Sequence, residues 1–79
     1  MNLTVSYFAW LREHAGASEE TLQSAAVTPA ELWQELEGRY GFGADSSRLR
    51  VAVNDEFAAW DATLRDGDHI VFIPPVSGG

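Results

Sequence analysis

Asp66-Gly67-Asp68-His69-Ile70-Val71-Phe72-Ile73-Pro74-Pro75-Val76-Ser77-Gly78-Gly79 is the stretch that decides the fold. Asp-Gly-Asp marks a tight turn, and the turn launches a strand, His69 to Ile73. Ile70 and Phe72 share one face of that strand, and Val71 and Ile73 share the other. A strand that is apolar on both faces belongs inside a sheet. Pro74-Pro75 then ends the ladder, because proline fixes φ and offers no backbone donor. Gly78 and Gly79 have no Cβ and can thread a slot that rejects other residues. Six residues from Pro74 onward reach at most ~20 Å when extended. The reading is a body, 1–73, that carries a flexible arm, 74–79, with the Gly79 carboxylate bare at its end.

Working outward, the strand needs partners. Asn2 to Trp10 begins by alternating Leu3, Val5 and Tyr7 against Asn2, Thr4, Ser6 and Phe8, which predicts a half-buried strand starting at the N-terminus. The segment runs on toward Trp10, but Phe8 interrupts the alternation with a large aromatic on the polar face. Leu11 to Ala15 suits a short helical turn stopped by Gly16. Ser18 to Ala25 pairs back on the first strand as a hairpin, although Glu19, Glu20 and Gln23 have low strand propensity. Thr28-Pro29-Ala30-Glu31 is a helix start, with Thr28 as N-cap, Pro29 at N1 and Glu31 closing a capping box. Leu32, Trp33, Leu36 and Tyr40 follow at helical spacing and form one apolar stripe. Gly41-Phe42-Gly43 ends that helix, and Ala44 to Arg48 is a polar loop. Leu49 to Val53 reads as a strand, Asn54-Asp55 as a tight turn, and Glu56 to Trp60 as a short return. If the first and last strands are neighbours they are parallel, since the helix lies between them in sequence. The fold class is α+β: a mixed sheet of about five strands with one main helix packed on one face.

Size and composition narrow the function. A chain of 79 residues buries only about 60% of its unfolded surface and has little room for a private active site. Hydrophobic content of 46% with three Trp and four Phe argues for a folded domain. No apolar run approaches the roughly 18 residues that span a membrane, and no signal-peptide pattern is present. There is no Cys, so neither disulfides nor thiolate chemistry are available. A cytoplasmic location is the simplest expectation. The formal charge of -7 repels phosphate backbones, which argues against nucleic acid as a partner. The five cations are all Arg, at 12, 39, 48, 50 and 65. A chain without lysine offers no side-chain amine for isopeptide links.

No autonomous catalytic group emerges. His14 and His69 are too isolated for a metal site, so no metal is expected. Asp55, Asp61, Asp66 and Asp68 are explained by turn chemistry, and no Ca²⁺-loop spacing is present. Ser46-Ser47 has no matching base nearby in sequence, and no Gly-rich phosphate loop joins a strand to a helix. What remains is the arm and a docking face. Phe8 and Ile73 lie on strand faces opposite their core-facing neighbours, and Phe57 sits in the short return strand. Clusters of this kind mark protein contacts.

The stretches Val5-Ser6-Tyr7-Phe8-Ala9-Trp10-Leu11-Arg12-Glu13, Ala52-Val53-Asn54, Leu64 to Asp68 and Phe72 to Gly79 together resemble the MoaD-type sulfur carriers. These are the small subunits of molybdopterin synthase, in the ubiquitin-like β-grasp superfamily. The resemblance covers the whole chain. It implies that an adenylating, E1-like enzyme uses ATP to activate Gly79, and that a sulfur donor protein converts it to a thiocarboxylate. It implies docking on a large catalytic subunit, as a heterotetramer, with transfer of sulfur to cyclic pyranopterin monophosphate. No cofactor is bound by the carrier itself. Gly79 would be the sulfur-bearing residue and Gly78 the slot-fitting one, while Phe8, Phe57, Ile73, Pro74, Pro75, Val76 and Ser77 would meet the partner. Ser6 and His14 depart from the family, which often has apolar residues there. Carriers for thiamin or cysteine synthesis and ubiquitin-like protein modifiers fit the same pattern, as does an interaction domain with an inert end.

Overall fold

The strand from His69 to Ile73, β5, is the middle strand of five. The computed structural model describes residues 1–43 and 46–74. Pro75, Val76, Ser77, Gly78 and Gly79, the arm residues named above, lie outside the described residues. Around β5 the elements are β1 (Asn2–Tyr7), α1 (Trp10–Ala15), β2 (Glu19–Gln23), α2 (Pro29–Tyr40), β3 (Arg50–Val53) and β4 (Glu56–Ala58). The sheet order is β2-β1-β5-β3-β4. β1 runs parallel to β5 from Thr4↔His69 to Tyr7↔Phe72, and the other three pairs are antiparallel. This is the β-grasp arrangement that the sequence predicts.

One face of the sheet is the core. Leu3, Val5 and Tyr7 of β1, Ile70 and Phe72 of β5, Leu22 of β2 and Val51 of β3 are all buried. They meet Leu32, Trp33 and Leu36 of α2, the predicted stripe, while Tyr40 is half-buried at its end. Phe72 is fully buried in an aromatic cluster, with Trp33 edge-on at 5.1 Å and Trp60 stacked at 5.9 Å. Burying a side chain of this size stabilises the fold by about 1.5–3 kcal/mol relative to leaving it in water.

The turns are held by their own chemistry. Asn54 and Asp55 both have positive φ, 52° and 72°, the pattern of a two-residue type I′ hairpin. That turn fixes the β3–β4 register at Val53↔Glu56. Asp66 accepts a hydrogen bond from the Asn2 backbone N–H at 2.7 Å. Asp68 accepts from the Arg65 N–H at 2.8 Å and from the Asn54 amide at 2.9 Å. The two aspartates are therefore occupied in pinning the start of β5 to β1 and β3. Gly67 takes φ 88°, the left-handed region that disfavours other residues.

Three expectations are corrected. β1 stops at Tyr7, and Phe8 lies beyond it, because Ala9 turns the chain at φ 53° into α1. Glu31 does not close a capping box on Thr28. Thr28 Oγ1 does accept the Glu31 N–H at 3.2 Å, but the Glu31 carboxylate reaches one residue further back, to the Val27 N–H at 2.9 Å. The polar loop before β3 contains a 3-10 turn at Ser46–Arg48. Among the described residues, no helix is long and apolar enough to cross a membrane.

Candidate docking face and tail exit

Among the described residues no helix covers the second face of the sheet, and strand pairing fixes which residues it presents. Glu19, Ser6, Val71, Ala52 and Phe57 pair in sequence across all five strands, so their side chains form one row on this face. The next row toward the end of β5 contains Ile73 and Arg50, which are directly paired. Rows on one face lie about 7 Å apart, and neighbouring strands about 4.8 Å apart. The open face therefore divides in two. Its β3–β4–β5 half is apolar around Ala52, Val71, Ile73 and Phe57, with Arg50 set into it. Its β1–β2 half is polar.

The three predicted body residues fall as follows. Phe57 is 69% exposed on β4, and Ile73 is half-buried at the end of β5. Phe8 is 50% exposed and lies past the end of β1, not on its polar face. Tyr7↔Phe72 is the last parallel pair, so Phe8 and Ile73 are the next residues at the same end of two adjacent strands. Pro74 follows at that end. Phe8 and Phe57 are two of the three large hydrophobics exposed among the described residues; the third, Val27, precedes α2.

Sequence reasoning missed Arg50, Ala52 and Val71. The signal was available: a two-residue turn at Asn54-Asp55 sets 52 opposite 57, and alternation then puts 50 on the same face. It also missed why Ser6 is polar. Ser6 Oγ shares a 2.7 Å hydrogen bond with His69 Nε2 and donates to Glu19 at 3.3 Å. The Glu19 carboxylate lies 3.9 Å from the same Nε2. A nucleophilic triad would need the carboxylate on the other ring nitrogen, orienting the imidazole. This group instead bridges β1, β2 and β5 on the polar half. Among the described residues, no group of His, Asp and Glu could hold a metal ion.

Behind the sheet, a second polar group braces the exit. Glu20 Oε2 accepts from Tyr7 at 2.6 Å and from Tyr40 at 2.5 Å. Burial, then the bond to Glu20, holds the Tyr7 phenol well above its ordinary value. Tyr40 is raised by its bond to Glu20 and then by burial. The residue that ends β1 is thus tied to the end of α2 through one carboxylate.

A five-stranded mixed sheet backed on one face by one main helix defines a ubiquitin-like β-grasp body. A family model described as the ThiS family matches residues 5–79, and the chain belongs to that family of sulfur carriers. It is 31% identical over 80 residues to the molybdopterin synthase sulfur carrier subunit of Escherichia coli (98% of this chain, 99% of that one). It is 35% identical over 80 residues to the Homo sapiens protein of the same name (95% and 91%). Among solved structures, SAMP1 from Haloferax volcanii superposes with TM-score 0.82 at 26% identity over 100% of both chains. Molybdopterin converting factor subunit 1 from Pyrococcus furiosus gives 0.81 at 30% identity over 96% and 99%. Two further matches come from complexes. One is of subunits 1 and 2 of the Helicobacter pylori molybdopterin-converting factor (0.70, 26%, 100% of both chains). The other is the BexX/CysO complex of Amycolatopsis orientalis (0.72, 29%, 98% and 99%).

Proposed function

We propose that this chain is the sulfur-carrier subunit of a molybdopterin synthase. The observation that carries the reading is its end-to-end likeness to curated subunits of that name, at 31% identity over 98% of the chain. The Pro74-Pro75-Val76-Ser77-Gly78-Gly79 end supports it, and so does an exposed apolar half-sheet beside Ile73.

The chemistry follows from what a carboxylate lacks. It is a poor electrophile, so an E1-like enzyme joins the Gly79 carboxylate to the α-phosphorus of ATP and releases pyrophosphate. The mixed anhydride has AMP as its leaving group. A sulfur donor protein supplies sulfur at the sulfide level, which displaces AMP and leaves a thiocarboxylate. The body docks through Phe8, Phe57 and Ile73 on a large catalytic subunit, in a family-like heterotetramer. Pro74 to Ser77 lead Gly78 and Gly79 into that subunit's active site. The thiocarboxylate sulfur bonds to a carbon of cyclic pyranopterin monophosphate, and water then cleaves the acyl–sulfur bond, so the sulfur stays on the pterin and Gly79 returns to the carboxylate. The carrier supplies reach, fit and sulfur; the acid–base and anion-binding groups belong to the large subunit.

The test is reconstitution with the large subunit and the pterin precursor. The thiocarboxylated chain yields molybdopterin, and the free carboxylate yields none. A chain lacking Gly79 folds and yields none. Absence of product from the thiocarboxylated chain would contradict the reading. The likeness to SAMP1, a small archaeal modifier protein, favours a second reading as a protein modifier. In that case the activated chain appears linked to lysines of other proteins instead of donating sulfur.

A further inference from the structure

Arg50 is the one Arg or Lys in the five strands. Its guanidinium lies over the Phe57 ring, 5.5 Å from the centroid. Its backbone is paired with Ile73, at the point where the chain leaves the sheet. The ion pairs between described residues use Arg39 and His69, and Arg50 makes none of them. Arg50 and Phe57 also form walls of a shallow pocket of about 180 Å³, with Leu49, Val51, Ala58 and Trp60 as the rest. Arg50 is the one charged residue in that lining.

The position has a physical consequence. A partner that covers Phe57 must also cover a guanidinium resting on its ring. Removing a charge from water costs several kcal/mol unless a counter-charge replaces the lost solvent. The stacked ring offsets only part of that. Neither Ile73 nor the rest of the pocket offers an anion. The acidic turn residues Asp66 and Asp68 precede β5, at the opposite end of the strand from Ile73, and are already engaged. Among the described residues no carboxylate forms an ion pair with Arg50, which leaves a docking partner as a source of the counter-charge.

We propose that the docking partner presents a carboxylate to Arg50 beside an apolar side chain that fills the pocket next to Phe57. The guanidinium fork suits a two-point grip on a carboxylate. Arg50 is then a specificity element: it admits partners whose apolar socket carries an Asp or Glu at its rim and penalises those with a cation there. The surface is the docking face of the proposed function, so the inference rests on that reading.

The experiment measures the dissociation constant of the full chain for the large catalytic subunit. Four variants are compared: Arg50→Gln, Arg50→Glu, Arg65→Gln and Phe57→Asp. Arg65→Gln makes the same change in net charge away from the face. We expect Arg50→Gln to weaken binding about 10-fold, Arg50→Glu about 100-fold or more, and Arg65→Gln less than about 2-fold. Wild-type affinity should fall between about 50 and 500 mM salt, with a shallower slope for Arg50→Gln. Circular dichroism confirms that each variant is folded. Wild-type affinity and salt slope in Arg50→Gln, with binding lost in Phe57→Asp, would overturn the Arg50 inference and leave the docking face standing. Wild-type binding by both variants would overturn the docking face itself. Self-association of the chain that Arg50→Glu abolishes would make a second copy the occupant and overturn the proposal.

Discussion

Ile73 lies directly opposite Arg50 in the antiparallel pairing of β3 with β5. The last strand residue before the prolines is therefore held by β3 on one side, one row from the pair Ala52↔Phe57. On the other side β1 ends at Tyr7↔Phe72. The point where the chain leaves the sheet therefore lies at the edge of the apolar half-face.

Phe8 tests whether the face extends across the end of β1. Phe8→Asp should fold normally, because the side chain is 50% exposed. Its affinity for the large subunit should fall about 10-fold or more, the scale of losing an aromatic anchor at an interface. Isothermal titration reads this directly, and unchanged affinity would remove Phe8 from the face.

Phe72 and Phe57 are in different strands and face opposite sides of the sheet, so their variants should part. Phe72→Ala empties the centre of the aromatic cluster and should cost about 3–5 kcal/mol, which leaves so small a domain largely unfolded. Phe57→Ala should change stability by less than about 0.5 kcal/mol. Urea denaturation of both separates core from surface.

The Glu20 bridge makes an alkaline prediction. Tyr7 and Tyr40 are raised above their ordinary value of 10.0 in the folded chain. Above that pH the unfolded chain loses the phenol protons that the folded chain keeps, so the unfolded state binds fewer protons and stability falls as pH rises. The contribution is whole below the ordinary tyrosine value and is lost progressively through the raised folded values. Tyr7→Phe should flatten the loss in denaturation midpoints measured upward from neutral pH. An equally steep decline in Tyr7→Phe would place the sensitivity elsewhere. At neutral pH, Glu20→Ala strands the Tyr7 hydroxyl and should cost about 1–3 kcal/mol.

The cap of α2 allows a smaller check. Thr28→Ala removes the acceptor for the Glu31 N–H and should cost about 1 kcal/mol. Glu31→Ala should cost less, because its partner, the Val27 N–H, is exposed to water once released.

Much of this was legible because single residues have single solutions. Ile70, Val71, Phe72 and Ile73 are apolar on both faces, which has no comfortable place at a sheet edge, and β5 is central. Thr28-Pro29 can hardly do other than start a helix. Alternation says where a strand begins better than where it stops; Ala9 at φ 53° turns the chain after β1 and leaves Phe8 beyond it, and alanine carries no turn signature. The Arg50–Phe57 contact was illegible for a different reason. It depends on register and on a side-chain rotamer together, and only the register is written in the Asn54-Asp55 turn. The role of Ser6 is not written in its own strand, because its partners Glu19 and His69 reach it from two other strands.

The most direct test is the intact mass of the chain isolated from its own cells under conditions that preserve thioacids. The account predicts a fraction heavier by one oxygen-to-sulfur exchange, about 16 Da, localised by fragmentation to Gly79. A free carboxylate throughout, unchanged after incubation with the activating enzyme, ATP and a sulfur donor, would contradict the carrier function.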